Sequence, residues 1–388
     1  MLDFTRVFSG PICGRMLADL GADVIKVEAP EGDVVRSTPP WASGTSMMYA
    51  HMNAGKRNLS VDLKTPGAAD LLARLAARCD VLLENFRPGV LARFGLGAEE
   101  LRARHPRLIY CSVTGWGQSG PLARHPAYAP LVAAEAGLLD LDRRLRGGEA
   151  QGEVHQHGDI YAGVMACNAV LGALYQRESS GRGQHLDVSM AEARLYVSEH
   201  TGVDLAGFGG ERGFDTWTFL TPSLGDGRRV HLLGNPRRLF HAWIEALGGD
   251  GLEGDPRFAT PEAIGEHLDA ALAELEARTR RFPDFAALER ALEGRPLMFA
   301  EVRTTAEVCE SEWAEQRRAI RELAPGVRVP DAPWRSSDAE IGAAGPALAR
   351  GASNREVLSE LLELSEAEIE RLERDGVLRT GGLDPDGA

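Results

Sequence analysis

LDFTRVFSGPICGRMLADLGADVIKVEAPEGD, residues 2 to 33, sets the fold class. Leu2 to Thr5 has room only for a short strand. Ser9-Gly10-Pro11 then opens a helix with proline near its first position, and Gly21 falls just past its end. Val24 to Glu28 is the next strand, broken by Ala29-Pro30-Glu31-Gly32-Asp33. A strand, helix, strand order with short turns is the opening of a parallel α/β sheet.

Working outward, a loop rich in Pro, Ser and Gly surrounds Pro39-Pro40-Trp41, and Asn58 to Asp62 is a third extended run. A helix over Gly67 to Arg78 places leucines 71, 72 and 75 on one face. Asp80 to Glu84 is the following strand, with Asn85-Phe86-Arg87-Pro88-Gly89 at its carboxyl end, where open α/β sheets hold their ligands. Helices over Val90 to Phe94 and Glu99 to Arg104 precede a strand, Leu108 to Val113, and Gly115 to Pro121 reads as a loop.

EVHQHGDIYAGVMACNAVLGALYQRESSGRGQHLDVSM, residues 153 to 190, joins a polar cluster to the most apolar helix of the chain. The spacing predicts a buried helix over Ile160 to Arg177, stopped by Ser179-Ser180-Gly181-Arg182-Gly183, and a strand at His185 to Val188. Asp159 sits where an N-cap belongs, its carboxylate facing free N–H groups and the positive end of the helix dipole, which keeps it ionised. Three readings of Asp159 stay open: a cap, a carboxylate nucleophile, or a metal ligand. For the last, His155, His157 and Asp159 alternate, so on an extended segment they point to one side as the ligands of a zinc hydrolase do. Ile160 replaces the final His of the HxHxDH signature of such hydrolases.

A helix over Ala191 to Leu205 leads into Gly207 to Gly213, a linker or flap. Beyond it the pattern changes to a hairpin turning at Gly225-Asp226-Gly227 and then helices, so a smaller domain is expected over 214 to 318. The expected division is 1–205 for the first part of a large domain, 206–213 for the linker, 214–318 for the small domain and 319–388 for a return segment completing the large one. Pro330, Pro333 and Pro346 mark an extended connection, and two last helices carry capping boxes, Ser353 with Glu356 and Ser365 with Glu368, the second ending at Gly376. No GxGxxG lies between a strand and a helix, and there is no GxSxG elbow, Walker A or HExxH motif. Tyr128, Trp217 and His241 are read first as core residues.

With 44% hydrophobic and 26% charged residues the 388-residue chain is an ordinary globular protein of two or three domains. A formal net charge of -14 argues against a nucleic-acid partner. Five unpaired-looking cysteines read as reduced thiols, no apolar run is long enough for a membrane span, and Met1-Leu2-Asp3-Phe4 lacks a basic leader, so a cytoplasmic location is expected.

Residues 2 to 33, NAGKRNLSVDLKTP (53 to 66), DVLLENFRPGVLARFGL (80 to 96), the run from 158 to 190 and DPRFAT (255 to 260), in this order, resemble the family III CoA-transferases, which include the α-methylacyl-CoA racemases. The resemblance implies a large, open, Rossmann-like α/β domain built from both ends of the chain, a small α+β domain between them, and an interlocked homodimer. It implies coenzyme A as carrier substrate with no tightly bound cofactor and no metal, an acyl-CoA and a carboxylic acid as partners, and Asp159 as nucleophile. By position Arg36, Asn85, Phe86 and Arg93 match the coenzyme contacts, a role for which guanidinium and phenyl groups are suited. Lys56 and Arg57 read as a solvated pair. Racemase members carry a His-Asp pair where this chain has Tyr128-Ala129, and a later acid where it has Asn235, so transfer is favoured over racemisation. Transferases commonly share the Asp that Ala129 replaces. An acyl-CoA-binding relative without turnover remains a third alternative beside the racemase and the zinc hydrolase.

Overall fold

The computed structural model describes residues 1–146, 149–208, 220–249, 251–252 and 254–381. Its chain contacts gather into two compact units, one formed by Met1–Arg143, Gly148–Gly202 and Glu312–Ala388, the other by Arg144–Gly147 and Val203–Ser311.

The first unit is built on strands β1 (Leu2–Asp3) and β2 (Ile25–Glu28), with helix α1 (Ser9–Asp19) between them. A small hairpin, β3 (Trp41–Ala42) and β4 (Thr45–Ser46), precedes α2 (Met47–Asn53) and β5 (Arg57–Ser60). Then follow α3 (Ala68–Ala76), β6 (Val81–Glu84), α4 (Ala98–Arg104), β7 (Ile109–Thr114), α5 (Ala129–Glu135), α6 (Leu138–Arg146), α7 (His157–Ser180), β8 (His185–Ser189) and α8 (Met190–Val197). Six strands pair in the order β5-β2-β1-β6-β7-β8, all parallel. Renumbered along the sheet this is 3-2-1-4-5-6, the doubly wound order, whose switch point lies between β1 and β6.

Both faces of the sheet are covered, which is why strands such as Val81-Leu82-Leu83-Glu84 are buried at every position. Leu82 packs with Leu71, Leu72, Leu75, Leu101 and the C-terminal Val357, Leu358 and Ile369. Val81 and Leu83 pack on the opposite face with Leu17, Val132, Ala166 and Val170. The α1 and α7 helices cross very closely there: a Cβ on Gly163 would lie 2.0 Å from Ile12 Cγ2 and 2.4 Å from the Ser9 carbonyl oxygen.

The second unit has its own core around Phe240, Trp243, Phe258, Leu275 and Leu288. Its strands β9 (Val230–Leu232) and β10 (Phe299–Glu301) pair antiparallel, and Gly227 takes φ 87° in the expected turn. His241, read as core, is instead exposed on this unit, its Nε2 2.8 Å from the Phe258 carbonyl. Gly209 to Gly213 of the glycine-rich segment, and Trp217, lie outside the described residues.

Several local expectations are corrected. The helix expected over Ala191 to Leu205 breaks at Ser198 (φ -80°, ψ 110°). The return segment, expected as an extended connection around Pro330, includes a hairpin, β11 (Ile320–Ala324) and β12 (Val327–Pro330). Of the two capping boxes, Ser365 with Glu368 forms, whereas the Ser353 hydroxyl accepts from the Asn58 backbone N–H at 3.3 Å instead of capping its own helix. Lys56 and Arg57 are not solvated: Lys56 is fully buried against Asp3, and Arg57 pairs with Asp23, Glu356 and Glu360. The five cysteines are free, and no described helix is long and apolar enough to cross a membrane.

Candidate active site

Two loops meet at the switch point. After β1, three consecutive amides are each held by a different side chain. Thr5 N–H donates to Asp3 Oδ1 (2.9 Å), Arg6 N–H to Asn85 Oδ1 (2.9 Å) and Val7 N–H to both oxygens of Asp33 (3.2 Å). Val7 thereby takes φ 67°, a left-handed value that a β-branched residue adopts only when its surroundings impose it. Asp33 is itself fixed by the buried Lys26 ammonium at 2.9 Å. After β6, Asn85 closes the reciprocal bond, its Nδ2 donating to the Arg6 carbonyl (2.8 Å) and to Ser9 Oγ (3.2 Å).

Between these loops lies a cleft of about 400 Å³, bounded by Arg6, Val7 and Ser9 on one side, Asn85 to Pro88 on another, and Gly115, His125 and Tyr128 on a third, with Asp159 opening into it. Sequence reading brought Asp159, Asn85 and Phe86 to this place; Arg6, Val7, Ser9, Arg87 and His125 it did not assign. Arg87 stands within the Asn85 to Gly89 loop, and Ser9 at the start of α1, so their positions at a strand end and a helix start were the available signals. Tyr128, read as core, is 64% exposed and lines the cleft. It immediately precedes α5, at the N-cap position.

Asp159 is not the N-cap. Gln156 occupies that place, and the helix begins at His157, which puts Asp159 in the first turn. Gly158 can lie flush against α5 because Ala129 is small: a Cβ on Gly158 would be 3.2 Å from the Ala129 Cβ. The helical start also removes the strand geometry on which a His155, His157, Asp159 metal set depended. Among the described residues no group of three His, Cys, Asp or Glu side chains is placed to hold an ion. His157 instead stacks on Tyr161, ring centroids 5.8 Å apart.

The helix dipole does not keep Asp159 in the ordinary acid range. Burial pushes its carboxyl up to about 6, and the hydroxyl and backbone amide of Ser9 only partly oppose this. The result is a carboxylate that is ionised near neutral pH and poorly solvated, 7% exposed yet facing a cleft. Such a group is nucleophilic because little water has to be stripped from it.

Arg36 and Arg93 do not line the cleft. Arg36 Nε and Nη2 bind Glu28 (2.9 and 2.7 Å), and Nη2 also reaches the Tyr49 hydroxyl (2.6 Å) and the Leu348 carbonyl (3.0 Å). Arg93 is exposed on the turn Leu91–Phe94.

The chain belongs to CoA-transferase family III, whose profile matches residues 1–353. It is 35% identical to the acetyl-CoA:oxalate CoA-transferase of Acetobacter aceti, over 73% of this chain and 74% of that one. It is 32% identical to the succinyl-CoA–D-citramalate CoA-transferase of Chloroflexus aurantiacus, over 97% and 96%. The crystal structure of a CAIB/BAIF family protein from Brucella suis superimposes with a TM-score of 0.83 at 30% identity, covering 93% of this chain and 97% of that one. The protein is thus an enzyme of the CoA-transferase type.

Proposed function

We propose that the enzyme moves coenzyme A from an acyl-CoA thioester to a free carboxylic acid, with Asp159 as covalent carrier. The Asp159 carboxylate attacks the thioester carbonyl; the C–S bond breaks, leaving an acyl-aspartyl anhydride and the CoA thiolate. The thiolate attacks the aspartyl carbonyl, expels the donor acid and forms an aspartyl-CoA thioester. The acceptor carboxylate then displaces the thiolate to give a second anhydride, and the thiolate attacks the acceptor's carbonyl, releasing the new acyl-CoA and restoring Asp159. Coenzyme A enters as substrate and leaves as product.

The observation that carries this reading is a carboxylate desolvated in the first turn of a helix, at the wall of a cleft rather than sealed within the core. Phe86 offers an aromatic face and Asn85 fixes the loop on which the coenzyme lies. Exposed Arg93 supplies a partner for a phosphate; for Arg36 the available arm is Nη1, since Nε and Nη2 are engaged. The enzyme acts as a homodimer: Leu171 and Tyr175 of α7 and Leu195 and Tyr196 of α8 are large apolar side chains left 40% to 83% exposed, more than single scattered residues require.

Asp159→Ala should abolish exchange of CoA between thioester and acid while the sedimentation coefficient stays that of wild type. Full turnover in that variant would end the proposal. Peptide mapping after incubation with an acyl-CoA should place the trapped adduct on the Asp159 peptide.

A further inference from the structure

Glu84, at the carboxyl end of β6, is buried without a cationic partner, and its Oε2 accepts the Phe86 backbone N–H at 2.8 Å. That bond runs beneath the loop bounding the cleft. In the sheet register Glu84 lies beside Ser112 of β7, and Ser112 beside Asp187 of β8. The Ser112 hydroxyl is 3.0 Å from Nε2 of His185, two pairs earlier on the exposed edge strand. A row thus leads from the cleft loop to the surface: Phe86 N–H, Glu84, its sheet neighbour Ser112, whose hydroxyl opposes the upward shift of Glu84, and His185.

We propose that this row is a proton-linked positioning device, in which Glu84 sets the Asn85 to Pro88 loop through the Phe86 amide and exchanges its proton with solvent by way of Ser112 and His185. This rests on the reading of that loop as the coenzyme's seat.

A hydroxyl has one hydrogen, so the row has two consistent arrangements. With Glu84 protonated, its O–H donates to Ser112 Oγ, Ser112 donates to Nε2 of His185, and the neutral imidazole carries its proton on Nδ1. With Glu84 ionised, Ser112 donates to the carboxylate and Nε2–H of His185 donates to Ser112. One proton leaves Glu84 for solvent, the hydroxyl turns, and the imidazole changes tautomer. The ionised carboxylate also takes the Phe86 N–H in a charge-assisted bond, which holds the loop more firmly than the neutral acid does.

The switching range falls near neutrality. Burial pushes Glu84 up to about 7, partly opposed by Ser112 and the Phe86 amide and reinforced by the like charge of Asp187. The other titratable groups facing the row do not compete: burial raises Tyr110 and Cys111 far above this range and lowers His185, which also feels Asp187, Arg102 and Glu99.

Two measurements test it. Calorimetric titration with free CoA at about pH 6 and about pH 8 should show wild type gaining roughly five-fold more affinity with rising pH than Glu84→Gln, the fold-change a charge-assisted bond adds over a neutral one. The variant's own profile subtracts the titration of the CoA phosphates. In ¹⁵N-histidine spectra, His185 should pass from the Nδ1–H to the Nε2–H tautomer over that range, and keep one tautomer in Glu84→Gln and in Ser112→Ala. Equal pH ratios in wild type and Glu84→Gln, or a His185 tautomer fixed throughout, would overturn the inference. Wild type that binds no CoA at either pH removes instead the reading of the cleft; the tautomer then decides the relay alone.

Discussion

Two groups of buried carboxylates lie on either side of the switch point. On the β1, β2 and β5 side, Asp3 faces Lys56 at 2.8 Å, Asp33 faces Lys26 at 2.9 Å and Glu28 faces Arg36 at 2.7 Å. Burial alone raises Asp3, but Lys56 and Lys26 outweigh it and hold it below the usual range; for Glu28 burial is outweighed by Arg36, Lys26 and Tyr49, and it drops to about 2. On the β6, β7 and α7 side, Glu84 and Asp159 are buried with hydroxyls and amides only, and both rise. Beside their cations Asp3 and Glu28 are held down as anions, whereas Glu84 and Asp159, buried without one, are pushed up. The paired set fixes the backbone of the cleft, above all Val7; of the unpaired set, Asp159 lines it and Glu84 holds its loop from beneath through the Phe86 amide.

The largest test of this contrast is removal of a cation. Lys26→Met leaves Asp33 an unpaired buried anion and should destabilise the protein by about 3–5 kcal/mol in denaturant unfolding. A loss below about 1 kcal/mol would mean that the pairing matters little to the fold.

Next come opposite pH signatures. Asp159 has a folded value above its unfolded one, so its contribution favours the fold only at low pH and is lost as pH rises from about 4 through about 6. Asp159→Asn should therefore be more stable than wild type above about pH 6, by on the order of 2 kcal/mol, and equal to it well below pH 4. Glu28, with its folded value lowered, contributes stability above about pH 4.5 that is lost as pH falls toward about 2. Glu28→Gln should lose stability at neutral pH and converge with wild type in acid. Two variants moving in the same direction would break the contrast. In turnover, kcat/KM should rise with pH through about 6 as Asp159 ionises.

The smallest effect sharpens the geometry. Gly163→Ala must separate α1 from α7, and with them Ser9 from Asp159, at a cost of about 1–3 kcal/mol and with reduced kcat. Gly172→Ala, on the same helix with nothing within 4 Å, should be neutral or stabilising by up to about 1 kcal/mol. Equal thermal unfolding of the two variants would show that the helix contact does not position the carboxylate.

Much of the sheet is readable in the sequence because its central strands are short, mostly apolar runs, the one at Val81 closed by Glu84 and the one at Ile109 by Gly115, and the strand starting at Val81 is found within a residue of its true start. The start of α7 is not, because His155, His157 and Asp159 imitate strand alternation while the packing of Gly158 on Ala129 carries the helix back to His157. Lys56 and Arg57 mislead for a related reason: their partners Asp3 and Glu360 stand 53 and 303 positions away, and no local pattern reports them. Pro330 reads as a connector, yet it closes an antiparallel strand where it faces Ile320. Asn85 and Phe86 are visible from loop position and Asp159 from its place at a helix start; the upward shift of Glu84 is not, since it depends on what is missing around the side chain.

The sheet's outer strand β5 is sealed by late residues. Asn58 bonds Ser353 and Gly351, Asp62 N–H donates to Val377, and Val61 bridges to Leu378. During synthesis the ribosome delivers those partners only after the whole second unit, so the nascent first half waits with an open hydrogen-bonding edge while the inserted unit emerges. Chaperone dependence and aggregation of truncated chains should accordingly track this edge rather than the cleft at the switch point.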